Sequence, residues 1–146
     1  IEMVKRRVRD GSILRLIGKW INVGVIDEGK LLITQTGTGQ GQIISPLLAN
    51  IYLHYVLDTW FEKTIKPGLR GEAHLVRYAD DFIICLQRRE DAEEMLAVLT
   101  SRFAQYGLTL HPEKTRLIEF GKSALNKAER PGGSKPGTFD FLGFTH

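Results

Sequence analysis

Cysteine is almost absent from this chain. Cys85 stands alone, which excludes an internal disulfide framework and any metal site built from clustered cysteines. No apolar run approaches the ~20 residues that a membrane-crossing helix needs, and no secretory leader pattern opens at Ile1. No internal repeat is visible, which sets aside solenoids and arrays. Neither charge sign dominates. Twenty Lys and Arg against seventeen Asp and Glu leave a net charge of +3, a mildly basic balance that permits a nucleic-acid partner without demanding one. What is present is a globular composition, 42% hydrophobic and 25% charged, in 146 residues, the size of one domain with a sizeable core. The first residue is not Met and the chain opens inside a predicted helix, so an excised piece of a longer protein is expected.

The charge is unevenly placed. Lys5, Arg6, Arg7, Arg9, Arg15 and Lys19 crowd the first twenty residues, and Lys114, Arg116, Lys122, Lys127, Arg130 and Lys135 form a second group. Between Leu31 and Trp60 there is no Lys or Arg, and Asp58 is the only acid, so that stretch is expected to be interior. The basic groups then lie on surfaces, either as solvated faces or as phosphate-tracking ones. Residues 121–138, with Pro131, Gly132, Gly133, Pro136 and Gly137, read as an exposed, mobile insertion that carries no core.

Periodicity places the elements. A short basic helix ends near Asp10-Gly11, and Ile13, Leu16, Ile17 and Trp20 predict a helix over Ser12–Asn22. Val25–Gln35 reads as a hairpin turning at Asp27-Glu28-Gly29-Lys30. Ser45-Pro46 predicts a helix start with the Ser hydroxyl as cap. Leu47, Leu48, Ile51, Tyr52, Tyr55 and Trp60 supply its apolar stripe, and Lys66-Pro67-Gly68 its stop. Ala73–Leu86 reads as a second hairpin. Asp91–Tyr106 reads as an amphipathic helix with Ala92, Met95, Leu96, Leu99, Phe103 and Tyr106 on one face and Gly107 as its stop. Leu108–Leu110, Arg116–Phe120 and Phe139–Phe144 are predicted strands. This order predicts an α+β fold, an antiparallel sheet backed by helices.

The sharpest feature is Tyr78-Ala79-Asp80-Asp81 between two apolar strands. Adjacent carboxylates repel each other, and a divalent cation removes that cost. Mg²⁺ takes oxygen ligands, usually one or two carboxylates with water and substrate phosphate. A tight turn would hold both carboxylates at one rigid sheet edge, as two-metal phosphoryl transfer requires. The plainer reading is an ordinary Asp-rich turn. Upstream, Gly37, Gly39 and Gly41 let backbone come close to a flat or charged ligand, and Gln40 offers both a donor and an acceptor to a base or sugar. His54, His74 and His111 show no ligand spacing and read as structural or surface residues, and Cys85 reads as packing within its strand.

Four ordered motifs together resemble the palm of reverse transcriptases of the group II intron type: residues 37–53, Tyr78-Ala79-Asp80-Asp81, Gly107–Thr115 and Phe139–Phe144. The resemblance covers nearly the whole chain. It departs from the family pattern at Gly39, where Pro is usual, and at Gln42, where Gly is usual.

The resemblance implies RNA-directed DNA polymerisation: the 3′-hydroxyl of a DNA primer attacks the α-phosphate of a dNTP along an RNA template. It implies Asp80 and Asp81 as catalytic metal ligands for Mg²⁺, with Mn²⁺ as a substitute, and Lys114 at the leaving pyrophosphate. Gln40, Gly41 and Tyr78 are implied at the nucleotide and template, with packing of Tyr78 in the core as its other reading. Phe141, Leu142 and Gly143 are implied as the primer grip. In this family a further Asp, on a strand before the first helix, completes the metal site, and Asp10 is a poor substitute for it. Fingers, that strand and the thumb are therefore expected to lie outside the chain, leaving a partial palm that is inactive alone. Intron RNA is an implied partner, a membrane is not, and the implied location is cytoplasmic, in a bacterium or an organelle. The edge left by the missing strand is expected to pair copies of the fragment. The alternative is a maturase-type module that binds intron RNA and assists splicing without chemistry; an RNA-templated RNA polymerase is a third reading.

Overall fold

The computed structural model describes residues 1–21, 25–27, 30–32, 44–121, 124–126 and 137–146, with backbone alone at 25–27 and 30–32. The chain divides into two compact units, Ile1–Pro67 and Gly68–His146.

The first unit opens with α1 (Glu2–Lys5) and α2 (Gly11–Ile21). Asp10 starts α2: its Oδ1 accepts from the backbone N–H of Ser12 at 2.8 Å and of Ile13 at 3.1 Å, satisfying donors that a helix start leaves unpaired. Of the apolar stripe only Ile17 is buried, while Ile13 and Leu16 are nearly half exposed. β1 (Val25–Asp27) and β2 (Lys30–Leu32) pair antiparallel in the expected register, Asp27 opposite Lys30 and Val25 opposite Leu32. The predicted continuation of this hairpin to Gln35 lies outside the described residues.

α3 (Ser45–Leu53) begins one residue earlier than expected. Ile44 is already helical (φ −80°, ψ −18°), and its carbonyl accepts from the Leu48 N–H at 3.0 Å. Ser45 is therefore the first helical residue rather than the cap, and no side-chain cap hydrogen bond is made at the N-cap position. Pro46 still sits in the first turn, where its missing N–H costs nothing.

The helix then widens into π turns at His54–Asp58 and Phe61–Ile65 and closes in a 3₁₀ turn at Lys66–Gly68, the expected stop. The Thr59 N–H reaches back to the His54 carbonyl and the Lys66 N–H to that of Phe61, each across five residues. This explains a difference from the expected stripe. Leu47 is 57% exposed and nothing in α3 is buried, whereas Val56, Leu57 and Phe61 are fully buried. Each five-residue step moves the inward face one position along the chain, so a 3.6-residue count loses its phase here. The interior expected across Leu31–Trp60 is thus met, among the described residues, by Val56 and Leu57 near its end.

The second unit is built on β3 (Ala73–Tyr78) and β4 (Asp81–Leu86), paired antiparallel from Ala73–Leu86 to Tyr78–Asp81. α4 (Arg89–Gln105) packs on β4, and Phe82 meets Phe103 with ring centroids 5.9 Å apart. Met95, Leu99 and Phe103 are buried as the stripe predicts; Leu96 lies at its edge, 38% exposed. Asp91, on the same side, is only 3% exposed. Its Oδ2 accepts the Arg70 backbone N–H at 3.2 Å, and the Arg70 Nε lies 3.8 Å from Oδ1, so the carboxylate ties the segment before β3 to the first turn of α4.

Gly107 ends α4 as expected. With φ at +66°, it donates to the Ala104 carbonyl at 3.1 Å, and Leu108 donates to that of Phe103 at 2.9 Å, the paired bonds of a Schellman motif.

Beyond α4 the structure departs from the predicted strands. Leu108–Leu110 and Arg116–Phe120 form none, because neither segment is paired in a ladder among the described residues. Phe139–Phe144 is not one strand but a hairpin, β5 (Asp140–Phe141) and β6 (Phe144–Thr145), reversed at Leu142-Gly143. The architecture is α+β, with three separate two-stranded antiparallel sheets among the described residues. Within the expected insertion, residues 122–123 and 127–136 lie outside the described residues. Ala124, however, is buried, where no core was expected. It lies in a short helical segment, residues 124–126, where the Leu125 N–H donates to the Gly121 carbonyl at 3.1 Å.

Gly107→Ala is expected to destabilise the protein by about 1–2 kcal/mol, the cost of a Cβ at left-handed φ, with Gly107→Asn costing less. Urea unfolding of the three proteins measures the difference.

Candidate functional site

The β3–β4 hairpin has two unlike faces. Ala73, Leu75 and Arg77 alternate with exposed His74, Val76 and Tyr78. The register sets Phe82 opposite Arg77, on the side that meets α4, and sets Ile83 opposite Val76 and Cys85 opposite His74 on the other side. Cys85 is exposed, a correction to its reading as packing: strand alternation puts it on the face away from α4. Tyr78 is 66% exposed on that face, so of its two readings the core one is set aside.

The turn at the tip has two residues, Ala79 and Asp80, between the paired residues Tyr78 and Asp81. Ala79 has φ at +53°, and Asp80 has no positive φ. Positive φ at the first loop position alone is the sign pattern of a type II′ hairpin turn, where glycine is usual. Alanine there carries a strain of roughly 1–2 kcal/mol. The Arg77 Nη1 donates to the Ala79 carbonyl at 2.7 Å, across the turn. Sequence reasoning passed over this contact. Its signal was a donor-rich side chain two residues before a non-glycine turn.

Asp80 and Asp81 are both exposed, Asp80 in the loop and Asp81 as the first residue of β4. Ionised carboxylates this close repel one another, and water at the exposed tip moderates that repulsion. Hard oxygen donors open to water suit a cation such as Mg²⁺, which keeps water and phosphate among its ligands. The pair fits such an ion. Among the described residues no third His, Cys, Asp or Glu joins it in a ligand cluster.

The other expected residues are placed separately. Lys114 is exposed on the turn after α4, which the Thr115 N–H closes on the His111 carbonyl at 2.9 Å. Leu142 (φ +55°) and Gly143 (φ +80°) form the β5–β6 turn, with both loop residues left-handed as in a type I′ turn, and Phe141 is the last residue of β5. Strand pairing does not join this hairpin to β3–β4. Gln40 and Gly41, with Gly39 and Gln42, lie outside the described residues. His54 is exposed, its Nδ1 3.4 Å from an Asp58 carboxylate oxygen, and His74 and His111 are exposed.

Residues 5–146 match the family described as reverse transcriptase (RNA-dependent DNA polymerase). The chain belongs to this family. It is similar to an uncharacterised 91 kDa protein in the cob intron of Schizosaccharomyces pombe, 27% identical over 80% of this chain and 21% of that protein. It is similar to the group II intron-encoded protein LtrA of Lactococcus lactis, 41% identical over 37% of this chain and 9% of that protein. It is also similar to a telomerase reverse transcriptase of Oryzias latipes, 25% identical over 73% of this chain and 9% of that protein. The chain thus spans about a fifth or less of the length of these relatives.

Ala79→Gly is expected to raise stability by about 0.5–1 kcal/mol. It relieves the turn strain and gives back part of that gain to the freer unfolded chain. The shift in denaturant midpoint at unchanged slope measures it.

Proposed function

We propose that this chain is the palm part of an RNA-directed DNA polymerase that joins dNTPs to a DNA primer on an RNA template, within an intron-encoded mobility protein. The observation that carries this reading is the hairpin tip, where Asp80 and Asp81 stand as exposed carboxylates on a turn beside exposed Tyr78. Family membership and the similarity to intron-encoded proteins support it.

In this reading Asp80 and Asp81 hold a divalent cation, Mg²⁺ in the cell and Mn²⁺ as a substitute. When bound, the ion supplies positive charge to the reacting phosphate and lowers the pKa of the primer 3′-hydroxyl. Tyr78, on the same face as Asp81, packs against the primer sugar. Gln40 and Gly41 contact the nascent pair. Lys114 neutralises or protonates the leaving pyrophosphate. Phe141, Leu142 and Gly143 grip the primer, with Leu142 offered by its turn at 52% exposure. The basic side chains of α1 and α2, all exposed, track phosphates of template or intron RNA. The location is intracellular, bacterial or organellar. This chain by itself is inactive and self-associates through the β3–β4 edge, because neither strand has a second neighbour among the described residues and unpaired edges recruit partners.

Primer extension on an RNA template by the whole polymerase of which this chain is the palm part tests the proposal. Asp80→Asn is expected to lower the rate by about a thousandfold or more, the several kcal/mol that a lost charge clamp represents, and Asp81→Asn by less. RNA binding is expected to stay within about twofold in both. A whole protein that binds intron RNA and promotes splicing but never extends a primer would replace this reading with the binding module.

Mn²⁺ titration followed by NMR is expected to broaden the Tyr78–Phe82 signals first, and Asp80→Asn to abolish that broadening. Broadening centred elsewhere and unchanged in the variant would remove the assigned ligands.

A further inference from the structure

We infer that Arg77 is a positioning residue, a clamp that holds the strained turn carrying Asp80. The inference rests on the proposed function for its consequence and on the hairpin alone for its mechanics. Ala79 stands at φ +53°, a conformation that an L-residue with a Cβ leaves when nothing holds it. The turn is only two residues long, so it has no slack with which to absorb a change at Ala79. A positive φ at its first position matches the right-handed twist of the strands, and the ordinary turn types splay them apart. Relaxation of Ala79 to negative φ would therefore move Asp80 relative to Asp81.

Arg77 opposes that relaxation. Its guanidinium donates to the Ala79 carbonyl at 2.7 Å, so one hydrogen bond fixes the orientation of the peptide between Ala79 and Asp80. A hydrogen bond from a charged donor is about twice as strong as a neutral one. The anchor is rigid as well. Arg77 is half-buried, and its register partner Phe82 is held against Phe103 of α4. The clamp thus links the packed face of the hairpin to the loop that presents the carboxylate. Lysine would supply the charge from a flexible stem, without a planar fork to fix the angle.

Arg77→Met keeps the aliphatic stem and removes the donor. In the unmodified protein, Ala79 is expected to show the strong intraresidue amide-to-Hα NOE of a left-handed residue. Arg77→Met is expected to lose it and, in the whole polymerase of which this chain is the palm part, to lower kcat for primer extension about tenfold with KM for dNTP staying within about twofold. Misplacement of a reacting group by about 1 Å carries a cost of up to about a hundredfold. Ala79→Gly, introduced into Arg77→Met, is expected to restore most of kcat, because glycine holds positive φ without a clamp. Arg77→Lys is expected to fall between the two and serves as the measured variant if Arg77→Met does not fold. An unchanged NOE and kcat in both Arg77 variants would overturn the clamp. A loss of kcat that Ala79→Gly does not rescue would also overturn it, showing that Arg77 acts on substrate or on general packing. An unmodified whole polymerase that never extends a primer would remove the catalytic consequence together with the proposed function, and the Ala79 signal would still decide the mechanics.

Discussion

The pairing of β3 with β4, seated on α4, is the constraint from which the second unit follows. Six register pairs run from Ala73–Leu86 to Tyr78–Asp81. A two-residue turn closes them only with a twisted, left-handed first residue. One face of the pair is committed to α4 through Phe82 and Phe103. Because side chains alternate, the other face then carries Val76, Tyr78 and Ile83 away from the helix, with Asp81 in line with them. A slip of one residue would exchange the two faces and turn Asp81 towards α4. The packing of Phe82 and the exposure of Asp81 are thus a single fact.

Polar contacts set the geometry at both ends of this hairpin. At the tip, the Arg77 guanidinium spans the turn. At the base, the buried Asp91 carboxylate receives the Arg70 backbone N–H and faces its side chain. A buried carboxylate without such partners would be costly. Asp91 lies in the first turn of α4, where the unpaired N–H groups of a helix favour negative charge.

Much of this was legible in order along the chain. Gly107 ends α4 because only a residue without a Cβ accepts φ +66° cheaply, and the preceding stripe of Met95, Leu99 and Phe103 already pointed to that stop. The Asp27–Lys30 pairing and the Asp80-Asp81 hairpin were legible for the same reason, since short-range turn chemistry needs no distant partner. The core of the first unit was less so. Val56, Leu57 and Phe61 follow a five-residue step that helical counting does not contain, and Ser45 looked like a cap because the αR conformation of Ile44 leaves no mark on the sequence. Phe139–Phe144 read as one strand because apolar alternation does not reveal that Leu142 adopts positive φ.

By itself the sequence determined the element order, the acidic hairpin and the family, because periodicity, turn residues and ordered motifs are local properties. Tertiary structure alone decided which face of each element is covered. It placed Cys85 and Tyr78 in the open and Asp91 in the interior, and it set Arg77 on the Ala79 carbonyl. Burial and hydrogen-bond partners depend on what packs against a residue, and for Asp91 that includes Arg70, twenty-one positions away, whose identity no local pattern encodes.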